Sequence, residues 1–146
     1  MKHLILTLLL ISSTFALSPF SLEGVKNVNI KLFDKSKLLS KEFKEKVVSK
    51  VQKEFIKVGI KTQSEEFSNF IVKIEAVKIQ KKYVVNTSIF LAEDIIPSRN
   101  KSLESLGITY QKSDFFETED LEVDIYESIV EYLLFDMLEQ FRDENE

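Results

Sequence analysis

The chain has 146 residues, of which 44% are hydrophobic and 30% charged, with a formal net charge of −4 at pH 7. This length allows one domain with a core of its own, and the apolar content is too high for general disorder. The sequence contains no cysteine and a single histidine, His3. Disulfide-stapled folds and metal sites built on cysteine are therefore excluded.

Residues 1–18 have the order typical of a secretory signal peptide: a basic start, an apolar run over residues 4–11, and then small residues. The apolar run is shorter than the roughly 20 residues of a membrane-spanning helix. Cleavage after Ala16 or Ser18 is compatible with the pattern. We predict an exported protein, periplasmic if the host is bacterial, with a single α+β domain over residues 19–146. An uncleaved anchor or a buried first helix is the alternative.

The expected mature chain offers few groups for catalysis, because removal of residues 1–18 also removes His3. Without histidine or cysteine, the usual nucleophile and base pairs are missing. The three glycines, at positions 24, 59 and 107, stand alone and form no phosphate-binding loop. The neighbouring carboxylates Glu93 and Asp94 point to opposite faces of a predicted strand. We therefore predict a non-enzymatic protein with no catalytic residues, no cofactor and no metal site.

The first part of the mature chain predicts a strand followed by a long helix. Residues 25–33 alternate between apolar and polar side chains, which is typical of a half-buried strand. Apolar residues then recur in steps of three and four, as on one face of a helix. This stripe consists of Leu39, Phe43, Val47, Val51, Phe55 and Val58. Ser36 or Ser40 can cap the start of the helix, and Gly59 favours its end.

A short strand is expected at residues 60–63, and it would form a βαβ unit with the first strand if the two are parallel. The following strand, residues 70–79, changes its apolar face near Ala76, which predicts a bulge there or burial on both sides. A turn at residues 80–82 leads to a long strand over residues 83–95. A last strand is expected at residues 106–110, and we predict that the final three strands form an antiparallel meander.

The C-terminal segment, from Glu119 to about Arg142, has the period of a helix. Its main apolar side chains fall within an arc of roughly 220° at 100° per residue. Phe135 lies opposite the centre of this arc, and Leu121 and Tyr132 lie just beyond one edge. We predict that Leu121, Tyr132 and Phe135 form a surface for a protein partner or for self-association.

The fold class predicted from these elements is α+β, in the order β-α-β-β-β-β-α, with two helices packed on one face of a mixed, mainly antiparallel sheet. Behind an export signal, this order resembles that of small envelope accessory proteins, including the lipoprotein partner of the lipopolysaccharide-assembly barrel. The resemblance is one of architecture and covers most of the mature chain.

Charge is distributed unevenly along the sequence. Residues 26–57 contain ten lysines and four acidic residues, whereas residues 114–146 contain thirteen acidic residues and one arginine. The net charges of these segments are +6 and −12. Two solvated helix faces that attract each other modestly would explain this pattern. The alternative is a pair of surfaces for charged partners. Nucleic acid is not expected because the pI is about 5.2, whereas the lysines allow peripheral membrane contact.

A second candidate surface is the loop over residues 97–102, where Arg99 and Lys101 give a positive tip. An ordinary solvated connection between strands is the alternative interpretation of this loop.

Two functions remain open from the sequence. The first is an exported binding or accessory protein that acts through its acidic C-terminal helix and charged faces. The second is a carrier of a small apolar or lipid-like ligand held between the helices and the sheet. The residues that could line such a cleft are Phe43, Phe55, Phe70, Phe90, Phe115, Phe116, Phe135 and Phe141. A filled core would explain the same phenylalanines.

Overall fold

A computed structural model describes residues 20–65 and 67–146 of the chain. The predicted signal peptide, residues 1–18, lies outside the described residues. The strands are β1 (Asn29–Asp34), β2 (Ser68–Ile79), β3 (Lys82–Ile95) and β4 (Ser105–Thr118). Helix α1 (Lys41–Lys57) follows β1. The C-terminal helix, residues 121–145, consists of α2 (Leu121–Tyr126), a π-helical segment (Glu127–Leu133) and α3 (Leu134–Asn145).

The described strands form one mixed sheet in the order β1-β2-β3-β4. β1 is parallel to β2, and β2, β3 and β4 are a run of antiparallel neighbours. The α+β fold class and the antiparallel meander are thus confirmed. Alternate side chains of β2 and β3, such as Val72 and Ile89, are fully buried together with the apolar residues of both helices. Both helices therefore cover the same face of the sheet.

Helix α1 begins and ends at the residues that the sequence favours. The Ser40 hydroxyl accepts a hydrogen bond from the Phe43 N–H at 3.1 Å, so Ser40 is the N-cap. At the other end Gly59 has φ of +86°. The Gly59 N–H donates to the Ile56 carbonyl, and the Ile60 N–H donates to the Phe55 carbonyl. This is the Schellman arrangement, which favours glycine at its left-handed position.

The short strand expected at residues 60–63 is reduced to an isolated bridge between Lys61 and Asn27. Only one residue of this stretch, Ile60, is buried, and its N–H already closes the end of α1. Little backbone is left to form a ladder before the loop that follows. The parallel partner of β1 across α1 is therefore β2.

The bulge expected near Ala76 is absent, and burial on both sides is absent too. β2 pairs regularly with β3 there, with Val77 opposite Val84 and Ile79 opposite Lys82. Val77 is 64% exposed and Ile79 is 55% exposed. The prediction was wrong because these apolar side chains lie on the face of the sheet that carries no helix. The irregularity in the sheet lies between Leu91 and Ala92 of β3 instead.

The end of the C-terminal helix is held by the first described residues, 20–24, which we call the N-terminal strap. Leu22 is fully buried in the core. The Leu22 N–H and the Ser21 hydroxyl both donate to the Glu144 carboxylate. The Gly24 N–H donates to the Asn145 side chain at 2.9 Å. The strap therefore fastens one end of the described chain to the other.

Candidate functional site

The structure separates the three residues of the predicted partner surface. Leu121 is partly buried and packs against the core, whereas Tyr132 is 45% and Phe135 51% exposed. The π-helical segment contains Tyr132 and separates Leu121 from Phe135. The Leu134 N–H donates to the Ile129 carbonyl five residues earlier, so the turn is wider than an α-helical turn. A helix face that is assigned at 100° per residue from Leu121 is therefore out of phase with the faces of α3.

Phe135 lies in an open groove between the C-terminal helix and the second half of α1, with a volume of about 440 Å³. The groove is lined by Lys50 and Glu54 of α1 and by Tyr126, Val130, Glu131, Leu134, Phe135, Leu138 and Arg142 of the C-terminal helix. Its floor is apolar because Leu134 is fully buried and Leu138 is 5% exposed. The charged residues stand at the rim, which is the arrangement common in protein interfaces.

The charges at the rim divide into paired and unpaired groups. Lys50 Nζ lies 2.6 Å from Glu54 Oε1, and this hydrogen bond raises the pKa of Lys50 and lowers the pKa of Glu54. In contrast, Glu131 and Arg142 are exposed and form no ion pair with the described part of the chain. Glu131 and Arg142 are thus available to a charged partner.

Tyr132 lies on the flank of the C-terminal helix that faces β4. The Lys112 ammonium lies 4.8 Å from the centre of the Tyr132 ring and also forms an ion pair with Asp136. Tyr132 and Phe135 are therefore neighbours on the helix surface that face different elements. Of these two side chains, only Phe135 lines the groove.

The basic loop is solvated, as both Arg99 and Lys101 are exposed. It connects β3 to β4, and its bend is held by the Asn100 N–H bonded to the Pro97 carbonyl and by the Ser102 N–H bonded to the Asn100 side chain. Neither basic residue lines the groove.

The eight phenylalanines proposed for a ligand cleft are distributed over different parts of the molecule. Four of them are buried in the core: Phe43, Phe55, Phe70 and Phe141. Phe116 packs against the core, Phe135 lies in the groove between the two helices, and Phe90 is partly buried on the other face of the sheet. Phe115 is 70% exposed on the face of the sheet opposite the helices. These side chains do not line one common cleft.

A polar cluster between the C-terminal helix and the sheet was missed by the sequence analysis. The hydroxyls of Thr87 and Ser128 lie 2.6 Å apart, and Ser128 also donates to Asp114 at 2.8 Å. Thr87 is fully buried and Ser128 is 5% exposed. No local spacing relates these three residues, because they come from β3, β4 and the π-helical segment.

The face of the sheet opposite the helices is largely uncovered in the described ranges, and it too was missed. Six of its large apolar side chains are at least half exposed: Phe33, Val77, Ile79, Leu106, Ile108 and Phe115. The change of apolar face after Ala76 was the one sequence signal of this surface. Lys31, Lys73 and Glu75 lie among these positions, so charged side chains interrupt the apolar surface on β1 and β2.

Residues 20–65 and 67–146 contain no group of three or more acidic, histidine or cysteine side chains that could hold a metal ion. No helix in those ranges is both long enough and apolar enough to span a membrane. No known protein-family model matches the sequence, and no curated protein matches it significantly.

Proposed function

We propose that the protein is an exported, non-enzymatic binding or accessory module that recognises another protein through the groove around Phe135. The observation that carries the proposal is the half-exposed Phe135 ring beside the unpaired carboxylate of Glu131. Aromatic residues in a pocket with a polar rim provide much of the affinity of protein interfaces.

The charge of the C-terminal segment supports a partner of stated chemistry. Residues 114–146 have a net charge of −12, and Glu127 and Glu131 of the C-terminal helix are exposed. Exposed carboxylates on this helix favour a basic partner and speed its encounter. The proposed ligand is therefore a protein segment that places an apolar side chain in the groove and basic residues against Glu127 and Glu131.

Photo-crosslinking in the native host identifies the partner, with benzoylphenylalanine at position 135 and the same group at Phe33 as control. Phe33 is also half exposed, but it lies on β1 at the uncovered face. A specific protein adduct is expected at position 135 and not at position 33. The same adduct at both positions, or none at position 135, contradicts the proposal, and an adduct with a second copy assigns the groove to self-association.

Binding to the purified partner then tests the two interactions. We expect Phe135→Asp to weaken the affinity at least tenfold and Glu131→Lys to weaken it several-fold. The matched controls are Phe33→Asp and Glu139→Lys, which make the same changes outside the groove. Equal losses in the controls would show that general surface chemistry, and not the groove, determines binding.

A further inference from the structure

β4 is an edge strand of the sheet in the described part of the chain. It extends over 14 residues, from Ser105 to Thr118, and pairs only with β3 there. It contains no proline, and its pairing with β3 is regular from Tyr110 onward. A long edge strand presents a row of unpaired N–H and C=O groups that can bind another strand.

Two charged residues of β4, Lys112 and Asp114, are arranged symmetrically around Ser113. Lys112 and Asp114 both point to the helix side, because Lys112 pairs with Asp136 and Asp114 accepts from Ser128. Ser113, between them, is exposed on the uncovered face. A positive and a negative side chain thus flank one residue on the same side of the strand.

We propose that β4 pairs with β4 of a second copy of this chain, antiparallel and about a two-fold axis at Ser113. The two sheets then form one continuous sheet, with the helices of both copies on the same face. Lys112 of each copy lies opposite Asp114 of the other, and Tyr110 lies opposite Phe116. Two opposite-charge pairs and two aromatic pairs therefore flank the axis.

Charge selects this register over its neighbours. In an antiparallel pair the side chains opposite each other point to the same face, so a symmetric pair places one residue opposite its own copy. An axis at Lys112 would set two ammonium groups against each other, and an axis at Asp114 would set two carboxylates against each other. Only the axis at Ser113 places Lys112 opposite Asp114.

Both charged groups keep capacity for these new contacts. The Asp114 bond from Ser128 uses Oδ2, which leaves Oδ1 to accept from Lys112 of the second copy. The Lys112 ammonium has three donors, and its hydrogen bond to a described side chain goes to Asp136.

Phe115 also becomes more buried in the proposed dimer. It is 70% exposed, the largest exposed fraction among the large apolar side chains described, and it would lie against Gln111 of the second copy.

Single cysteines test the register directly, because the natural chain contains none. At the two-fold axis the two Cα atoms of residue 113 are about 4.5 to 5.5 Å apart, which is within the range of a disulfide. We expect Ser113→Cys to form a disulfide-linked dimer under mild oxidation. Gln111→Cys, the control on the same face, would place its copies about 13 Å apart and remain unlinked. Equal linkage at both positions, or none at residue 113, overturns the proposal.

Charge variants test the pairing independently. Lys112→Glu sets acidic residues against acidic residues, and Asp114→Lys sets lysines against lysines. Each variant alone is expected to associate at least tenfold more weakly than the natural chain in sedimentation equilibrium. In a mixture, the two variants bring opposite charges together, so native mass spectrometry should show a heterodimer. Dimers of either variant alone, or no heterodimer between two folded variants, would refute the assignment.

The natural chain itself must show a concentration-dependent doubling of mass. A monomer at all concentrations means that β4 is covered by another protein or stays uncovered, and the self-pairing is then wrong. These measurements use the isolated protein and do not involve Phe135, so their failure leaves the proposed groove function untouched.

Discussion

Thr87 and Ser128 place two hydroxyl groups inside a core that is otherwise apolar around them. Each hydroxyl is satisfied, because they bond to each other and Ser128 also donates to Asp114. A buried polar group that loses its only partner costs more than the bond itself contributes. The cluster therefore fixes the position of the π-helical segment on β3 and β4.

We predict that Ser128→Ala lowers the free energy of unfolding by about 1–3 kcal/mol, because the Thr87 hydroxyl is left buried without its partner. The double variant Thr87→Val with Ser128→Ala should cost less than the sum of the single changes. Urea unfolding gives these values, and Ser49→Ala, at an exposed position of α1, is the control. Strictly additive costs would refute the coupling.

Single residues differ in how far the sequence alone reveals them. The exposure of Phe135 and Tyr132 follows from the helical period, because most of the apolar arc is used by the core. The partial burial of Leu121 cannot be predicted from the helical period, since the wide turn at Glu127–Leu133 has no sequence pattern of its own. Thr87 and Ser128 are 41 residues apart, and only the tertiary fold brings them together.

Among the elements, capped ends are predicted better than strand lengths. Ser40 and Gly59 bound α1 as expected because their chemistry is local. β4 was expected to end at residue 110, yet it continues to Thr118. The extension carries Lys112 and Asp114 on its helix side, which conceals the apolar alternation. These charges are tolerated there because Asp136 and Ser128 of the C-terminal helix provide partners.

The N-terminal strap depends on one carboxylate of the C-terminal helix. Partial burial alone would raise the pKa of Glu144, but the hydrogen bonds from Gln140, Leu22 and Ser21 outweigh it. The pKa of Glu144 therefore lies below its ordinary value of 4.5. A carboxylate of this kind stabilises the fold above its ordinary pKa, and this contribution is lost as the pH falls through the lowered value.

We predict that the urea midpoint is insensitive to Glu144 ionisation between pH 7 and about pH 5 and decreases below about pH 4.5 as Glu144 is protonated. Glu144→Gln should flatten part of this decrease, because the amide does not titrate. The exposed Glu139→Gln serves as the control and should keep the natural profile. The same decrease of the urea midpoint at acid pH in both variants would show that Glu144 does not cause it.

At the scale of the whole molecule, the two helices cover one face of the sheet and the other face is largely bare in the described ranges. The two helical segments lie in the same layer, although no ion pair joins them in the described part of the chain. The Ser40 N–H donates to Glu122 at 2.9 Å, and the Lys46 ammonium lies 4.3 Å from the centre of the Tyr126 ring. Each of these contacts joins one charged side chain to a polar or aromatic group of the other segment.

Two valines of β2 test this one-sided burial. Val72 is fully buried and Val77 is 64% exposed. We predict that Val72→Ala lowers the free energy of unfolding by about 1.5–3 kcal/mol, whereas Val77→Ala changes it by no more than about 0.5 kcal/mol. Urea unfolding of both variants measures this. Similar losses at the two positions would show that something also covers the second face.

The N-terminal strap makes the described chain almost a closed ring. Because residues 20–24 bond directly to residues 140–145, a linker of a few residues could join the two ends without moving either. The ring could then be opened in the exposed connection between β3 and β4, around Arg99, where new chain ends disturb no ladder. Such a circular permutant would start at β4 and end at β3, with the same neighbours in the sheet.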